Sequence, residues 1–116
     1  MNPSLPATAW LEDDGSLIRI RLSQPQANII DGAMSEALRK YFAHHCPNPD
    51  AKAVILDAEG DHFSFGASVE EHLPDNCAAM LGGFHDLLKE IIACPVTVIT
   101  AVRGQCLGGG LEVALA

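Results

Sequence analysis

Two apolar, β-branched runs set the frame into which the rest of this chain must fit. Ala53-Val54-Ile55-Leu56 reads as a strand buried on both faces, the pattern of a parallel sheet, and Val96-Thr97-Val98-Ile99-Thr100-Ala101-Val102 reads as a second strand. Between them Cys77, Met80, Leu81, Phe84, Leu88, Ile91 and Ile92 recur mostly at spacings of three and four, which predicts a helix from near Asp75 or Asn76 to the stop at Cys94-Pro95. Strand, helix, strand is a βαβ unit. Parallel strands joined in this way place their C-terminal ends on one edge of the sheet, where ligands of open α/β folds usually sit.

The residues before this unit read as a hairpin and a helix. Ala7 to Glu12 and Leu17 to Leu22 are predicted strands around the turn Asp13-Asp14-Gly15-Ser16, and the period-2 alternation over Ile18 to Leu22 implies one wet face. Asp31 is placed to cap a helix with Met34, Ala37, Leu38, Tyr41 and Phe42 on one stripe, ended by Pro47-Asn48-Pro49. The fold class expected is α/β, in a single domain spanning residues 1–116.

Charge removes several classes of partner. Lys and Arg number 7 against 15 Asp and Glu, a net charge of −8 with no basic block, which argues against nucleic acid or an anionic membrane surface. The longest apolar stretch, Ile91 to Val102, is interrupted by Pro95, Thr97 and Thr100 and falls short of a membrane span. No basic segment followed by an apolar run opens the chain, and Cys46, Cys77, Cys94 and Cys106 form no C-x-x-C pair. A cytoplasmic protein with reduced thiols is expected.

Two glycine-bearing segments leave the predicted ligand edge: Phe63 to Val69, and Arg103 to Glu112. The second is not a P-loop, since no Gly-Lys-Ser/Thr follows, and Cys106 and Leu107 break the G-x-G-x-x-G pattern. Gly108-Gly109-Gly110 at a helix start instead offers unshielded backbone N–H groups suited to an oxyanion. With a helix starting near Gly109, Glu112 lies on the same face, so a carboxylate stands beside the N–H that would hold the anion. The plainer reading of the same residues is close helix–strand packing with a solvated first-turn glutamate.

Phe63-Ser64-Phe65-Gly66-Ala67, followed by Ala101-Val102-Arg103-Gly104-Gln105-Cys106-Leu107-Gly108-Gly109-Gly110-Leu111-Glu112, resembles the paired signature of the crotonase (enoyl-CoA hydratase/isomerase) superfamily. Asp57 to Gly60, His62 to Val69, Glu71-His72 and Pro74-Asp75 add a likeness to the branch of that family that hydrates a cyclic dienoyl-CoA in anaerobic degradation of benzoyl-CoA. The resemblance implies the N-terminal portion of a ββα spiral fold and an acyl-CoA hydratase, a hydro-lyase. It also implies that the Ala67 and Gly109 N–H groups form an oxyanion hole for the thioester carbonyl and that Glu112 is an acid/base residue.

By the same resemblance, Ala27, Phe65, Gly66, Ser68 and Gly108 neighbour the substrate. The substrate is an acyl-CoA thioester, with coenzyme A part of it and no separate cofactor or metal, and the parent is a homo-oligomer, a trimer or hexamer. Ser68, Arg103 and Cys106 stand where many members have Asp, Asn and Ala, which favours the dienoyl substrate over an ordinary fatty enoyl-CoA. The alternatives are a general enoyl-CoA hydratase or isomerase, or a non-catalytic fragment that binds or assembles. The helix at Gly110 to Ala116 has no C-cap signal, so the sequence reads as part of a longer protein.

The remaining chemistry-bearing residues have plainer readings. His44-His45-Cys46 point in different directions on a helix and make a poor metal site, and His62 and His72 read as loop histidines beside the first glycine segment. Cys106 reads as a small packing residue. Lys52, Lys89 and Arg103 are the cations expected near the coenzyme A phosphates.

Overall fold

The computed structural model describes residues 5–66 and 77–116, leaving out the side chains of Cys77, Ala79 and Met80. Among the described residues, four strands form one sheet in the order β1 (Ala7–Glu12), β2 (Leu17–Leu22), β3 (Ala53–Ala58), β4 (Thr97–Thr100). The helices are α1 (Gly32–His45), α2 (Cys77–Ala93) and α3 (Gly109–Leu115). No helix among the described residues is long and apolar enough to cross a membrane.

β1 and β2 form the expected antiparallel hairpin, with Ala7 opposite Leu22 and Glu12 opposite Leu17. Asp13 and Asp14 take positive φ at the turn, and Gly15 follows at +87°. β3 runs parallel to both neighbours, pairing Ile18 with Val54 and Val54 with Val98. Ala53–Leu56 and Val96–Val102 are therefore parallel neighbours, as the sequence predicts, although β4 is shorter than the apolar run. After Thr100 one further bond, Ala101 N–H to the Leu56 carbonyl, closes the pairing. Beyond it the Arg103 guanidinium donates to the Ala58 carbonyl at 2.7 Å, taking an acceptor that a longer β4 would have used.

The core lies between one sheet face and the helices. Ile18, Ile20 and Leu22 from β2, Val54 and Leu56 from β3, and Met34, Leu38 and Phe42 from α1 are almost fully buried together. The expected stripe of α1 is the observed one, with Tyr41 partly buried and its hydroxyl donating to the Ala7 carbonyl. Asp31 caps the helix as predicted: its carboxylate accepts the Met34 N–H at 2.8 Å.

Three expectations need correction. β3 continues through Asp57 and Ala58, because the Asp57 carboxylate lies on the sheet face opposite the core and is held by Arg19 and Arg21 at 2.9 and 2.8 Å. That face is a cluster of charges rather than simply wet, and Ile55 on it is half-buried rather than enclosed. Among the described side chains of α2 the buried ones are Phe84, Leu87 and Ile91, while Leu81 and Ile92 are exposed. Phe84, Leu87, Leu88 and Ile91 form one stripe, and Leu81 and Ile92 lie on the same flank of it, three turns apart. The predicted start of α2 at Asp75 or Asn76 lies outside the described residues.

Candidate active site

The C-terminal ends of β2, β3 and β4 share one sheet edge, and three loops leave it: 23–31, 59–66 and 101–108. Sequence reasoning singled out the second and third. The first is equally part of the site, because main-chain hydrogen bonds tie the three together. The Phe65 N–H donates to the Ala27 carbonyl at 2.8 Å and the Ile30 N–H to the Gly66 carbonyl at 2.8 Å. The Phe63 N–H donates to the Arg103 carbonyl at 2.8 Å, and the Leu107 N–H to the Ser64 carbonyl at 3.0 Å. Ser64 and Cys106 form a parallel bridge, a short continuation of the sheet.

These bonds bring the two glycine segments into contact. Gly66 is buried at φ +108°, and a Cβ there would meet the Leu107 carbonyl at 3.0 Å and the Gly109 nitrogen at 3.5 Å. Only glycine fits that approach. Gly108 has φ +48° and turns the chain into α3. The first main-chain bonds of α3 are donated by Gly110 to Leu107 and by Glu112 to Gly108, and among the described residues the Gly109 N–H has no partner.

Of the residues expected at the site, Ala27, Phe65, Gly66, Gly108 and Gly109 are thus adjacent. Phe65 is 40% exposed beside them, an apolar ring in reach of a ligand. Glu112 is exposed on α3, three residues after Gly109, and its carboxylate has no ion pair or hydrogen bond among the described residues. Ala67 and Ser68 lie outside the described residues, as does His72. What the described part of the edge can do chemically is present a main-chain donor and a free carboxylate to a common ligand.

His62 is closer to the site than its plain reading suggests. Its Nδ1 accepts the Gln105 N–H at 3.0 Å, and its ring lies 5.1 Å from that of Phe65. A Cβ on Gly104 would overlap both His62 Nδ1 and the Asp61 carbonyl, so Gly104 at φ +59° lets the third loop close on the second. Cys106 is half-buried and burial raises its pKa, consistent with packing.

Of the cations expected to meet phosphates, Arg103 is on the ligand edge. Lys52 is not: it immediately precedes β3, at the opposite end of the strands, where its N–H bonds the Ser16 carbonyl. A groove of about 720 Å³ lies beside the ligand edge between Trp10, Arg21, Gln24 and Glu59, and is bordered by none of Gly66, Gly109 and Glu112.

Two buried polar residues of the site were missed by sequence reasoning, Asn28 and Ser64, both with no exposed surface. An asparagine after Gln-Ala and a serine between phenylalanines carry no local signal of their role, which lies in contacts between loops.

Comparison with known proteins shows the family and the fold. A family profile described as enoyl-CoA hydratase/isomerase matches residues 12–116. The chain is 58% identical over 113 residues to a cyclohexa-1,5-dienecarbonyl-CoA hydratase of Thauera aromatica, covering 97% of this chain and 44% of that protein. It is 34% identical over 111 residues to a carnitinyl-CoA dehydratase of Salmonella enteritidis, covering 91% of this chain and 42% of that protein. The crystal structure of human enoyl Coenzyme A hydratase domain-containing protein 3 superposes with a TM-score of 0.85 at 27% identity, over 93% of this chain and 44% of that one. The chain therefore spans less than half the length of these relatives.

Proposed function

The chain belongs to the enoyl-CoA hydratase/isomerase family, and from that premise we propose that the protein carrying it is a hydro-lyase that adds water to cyclohexa-1,5-diene-1-carbonyl-CoA. The product is the 6-hydroxycyclohex-1-ene thioester. The observation that carries the reading is the juxtaposition of Gly66 with the N–H of Gly109, three residues before the carboxylate of Glu112, neither of which has a partner among the described residues. The 58% identity to the dienecarbonyl-CoA hydratase supports the choice of substrate.

Water adds to a conjugated thioester only if the negative charge that develops on the carbonyl oxygen is held. In this reading the N–H groups of Gly109 and Ala67 hold it, and because both are main-chain donors they need little reorganisation as the charge forms. Glu112 moves the water proton. Ala27, Phe65, Gly66, Ser68 and Gly108 surround the thioester, and coenzyme A enters as part of the substrate with no further cofactor. The reading places the enzyme in the cytoplasm as a homo-oligomer, a trimer or hexamer.

The 34% identity to a carnitinyl-CoA dehydratase supports a second reading, hydration or dehydration of an open-chain acyl-CoA on the same edge. Assaying the full-length protein with the cyclic dienoyl-CoA and with crotonyl-CoA separates them. Preferred turnover of the cyclic substrate is expected, and a clear preference for crotonyl-CoA overturns that choice.

A further inference from the structure

We propose that Cys46 and Cys94 are a modification site, a dithiol that a small hydroperoxide closes into a disulfide stapling α1 to α2. Cys46 ends α1, and its N–H donates to the Phe42 carbonyl at 3.1 Å. Cys94 follows the last residue of α2, and its N–H donates to the Ile91 carbonyl at 3.2 Å. Each cysteine is followed at once by a proline, Pro47 or Pro95, which cannot carry its helix on. Two helix ends fixed in this way set the two sulfurs 2.9 Å apart, although 48 positions separate them in the chain.

Both thiols are free, and their exposures differ. Cys46 is 5% exposed within the core, whereas Cys94 is half-buried and packs against the edge of that core. Cys94 is therefore the sulfur that a small oxidant meets first, and Cys46 is already in contact with it. Neither belongs to the ligand edge. Cys46 precedes β3 and Cys94 precedes β4, so the pair lies at the opposite end of the parallel strands from the three loops.

Hydrogen peroxide supplies the oxidising equivalents in two steps. The Cys94 sulfur attacks one peroxide oxygen, the O–O bond breaks, and the departing hydroxide leaves as water with the thiol proton. The Cys46 sulfur then attacks the sulfur of the Cys94 sulfenic acid; the S–O bond breaks and a second water leaves with the Cys46 proton. Two sulfurs have lost two electrons, and the peroxide has gained them. Burial leaves Cys46 a thiolate fraction on the order of 10⁻⁴ at pH 8. Contact offsets this, because a well-oriented neighbouring nucleophile acts at an effective concentration on the order of 10⁵ M or more. The closed bond restricts the unfolded chain between residues 46 and 94, so the oxidised protein is the more stable form.

The test uses the full-length protein carrying this sequence, fully reduced and then treated with hydrogen peroxide at pH 8. Remaining thiols are alkylated in denaturant and the protein is digested without reductant. Mass spectrometry is expected to find the Cys46 and Cys94 peptides joined, about 2 Da below their summed mass, and parted again by dithiothreitol. The oxidised protein is expected to melt about 5 °C or more above the reduced one. Cys46→Ser is expected to stop at a Cys94 sulfenic acid that dimedone traps, and Cys94→Ser to slow oxidation of Cys46 by about 10-fold or more.

Cys94 accumulating as sulfenic or sulfinic acid in the wild type without the joined peptides overturns the proposal, as does a disulfide from either sulfur to a different cysteine. So does peroxide that leaves both thiols reduced in the folded protein while oxidising them after denaturation. A joined protein that melts no higher than the reduced one overturns the staple. If either serine variant does not fold, the wild-type peptide map and melting curves decide alone.

Discussion

A methyl group on Gly110 would stand 2.6 Å from Cβ of Ser64 and 2.8 Å from its hydroxyl oxygen. Gly110 is buried where α3 crosses the second loop, so the contact measures how closely the helix approaches the strand-end bridge. Gly110→Ala is expected to lower stability by about 1–3 kcal/mol through overpacking. In the same protein Gly82→Ala, where the added carbon meets nothing within 4 Å on an exposed turn of α2, is expected to raise stability by about 0.5–1 kcal/mol. Urea unfolding of the two variants checks both signs.

Glu112→Gln in the full-length protein is expected to lower turnover by about 10²–10⁴ while acyl-CoA affinity stays close to wild type. In the proposed reading the carboxylate acts on the water proton in the transition state, whereas main-chain donors hold the thioester. Steady-state kinetics with a binding titration checks the split, and an unchanged rate returns Glu112 to a solvated helix face.

Stability should carry an acid limb traceable to Asp57. Burial alone would raise its pKa, but hydrogen bonds from Arg21 and then Arg19 outweigh burial and hold it below 3.8. A carboxyl whose pKa is lower folded than unfolded contributes stability that is complete above the unfolded value and lost as pH falls through the folded one. At pH 7, Asp57→Asn should therefore be less stable than wild type by about 1–3 kcal/mol. The difference should shrink below about pH 4, as measured by unfolding across pH.

Cys46 should resist alkylation. The residue is 5% exposed, with the Cys94 sulfur 2.9 Å from its own, and burial followed by that contact pushes its pKa up to about 12. At pH 8 the thiolate fraction is on the order of 10⁻⁴. Mass spectrometry after brief iodoacetamide treatment should find Cys46 unmodified in the folded protein and modified after denaturation.

Much of the fold could be read from the chain because its signals are local. Asp31 sits where a cap must, and the stripe from Met34 to Phe42 has one period and one face. Asp57 could not be read as a strand residue, because its partners Arg19 and Arg21 lie on another strand, and only the parallel register brings Arg21 opposite it and Arg19 diagonal to it. Periodicity likewise located the apolar side of α2 but could not tell that Leu87 would be covered and Ile92 left open, since that depends on where α1 lies. At the site, glycines announced Gly66 and Gly109, while Asn28 and Ser64 gave no sign, since one side chain binding main chain in two distant loops has no periodic trace.

The ligand edge is fastened by main-chain groups almost throughout: Phe65 to Ala27, Ile30 to Gly66, Phe63 to Arg103 and Leu107 to Ser64. Such a frame separates two kinds of inheritance. Exposed side chains beside it, Phe65 and Leu107 among them, can be exchanged without moving the amides and carbonyls that define its shape. If the proposed function holds, a lineage built on this edge is free to change which acyl group it accommodates through those positions, while Asn28 and Gly66, fixed by backbone angle, and Ser64 and Gly110, fixed by their close contact, leave it almost no room to vary.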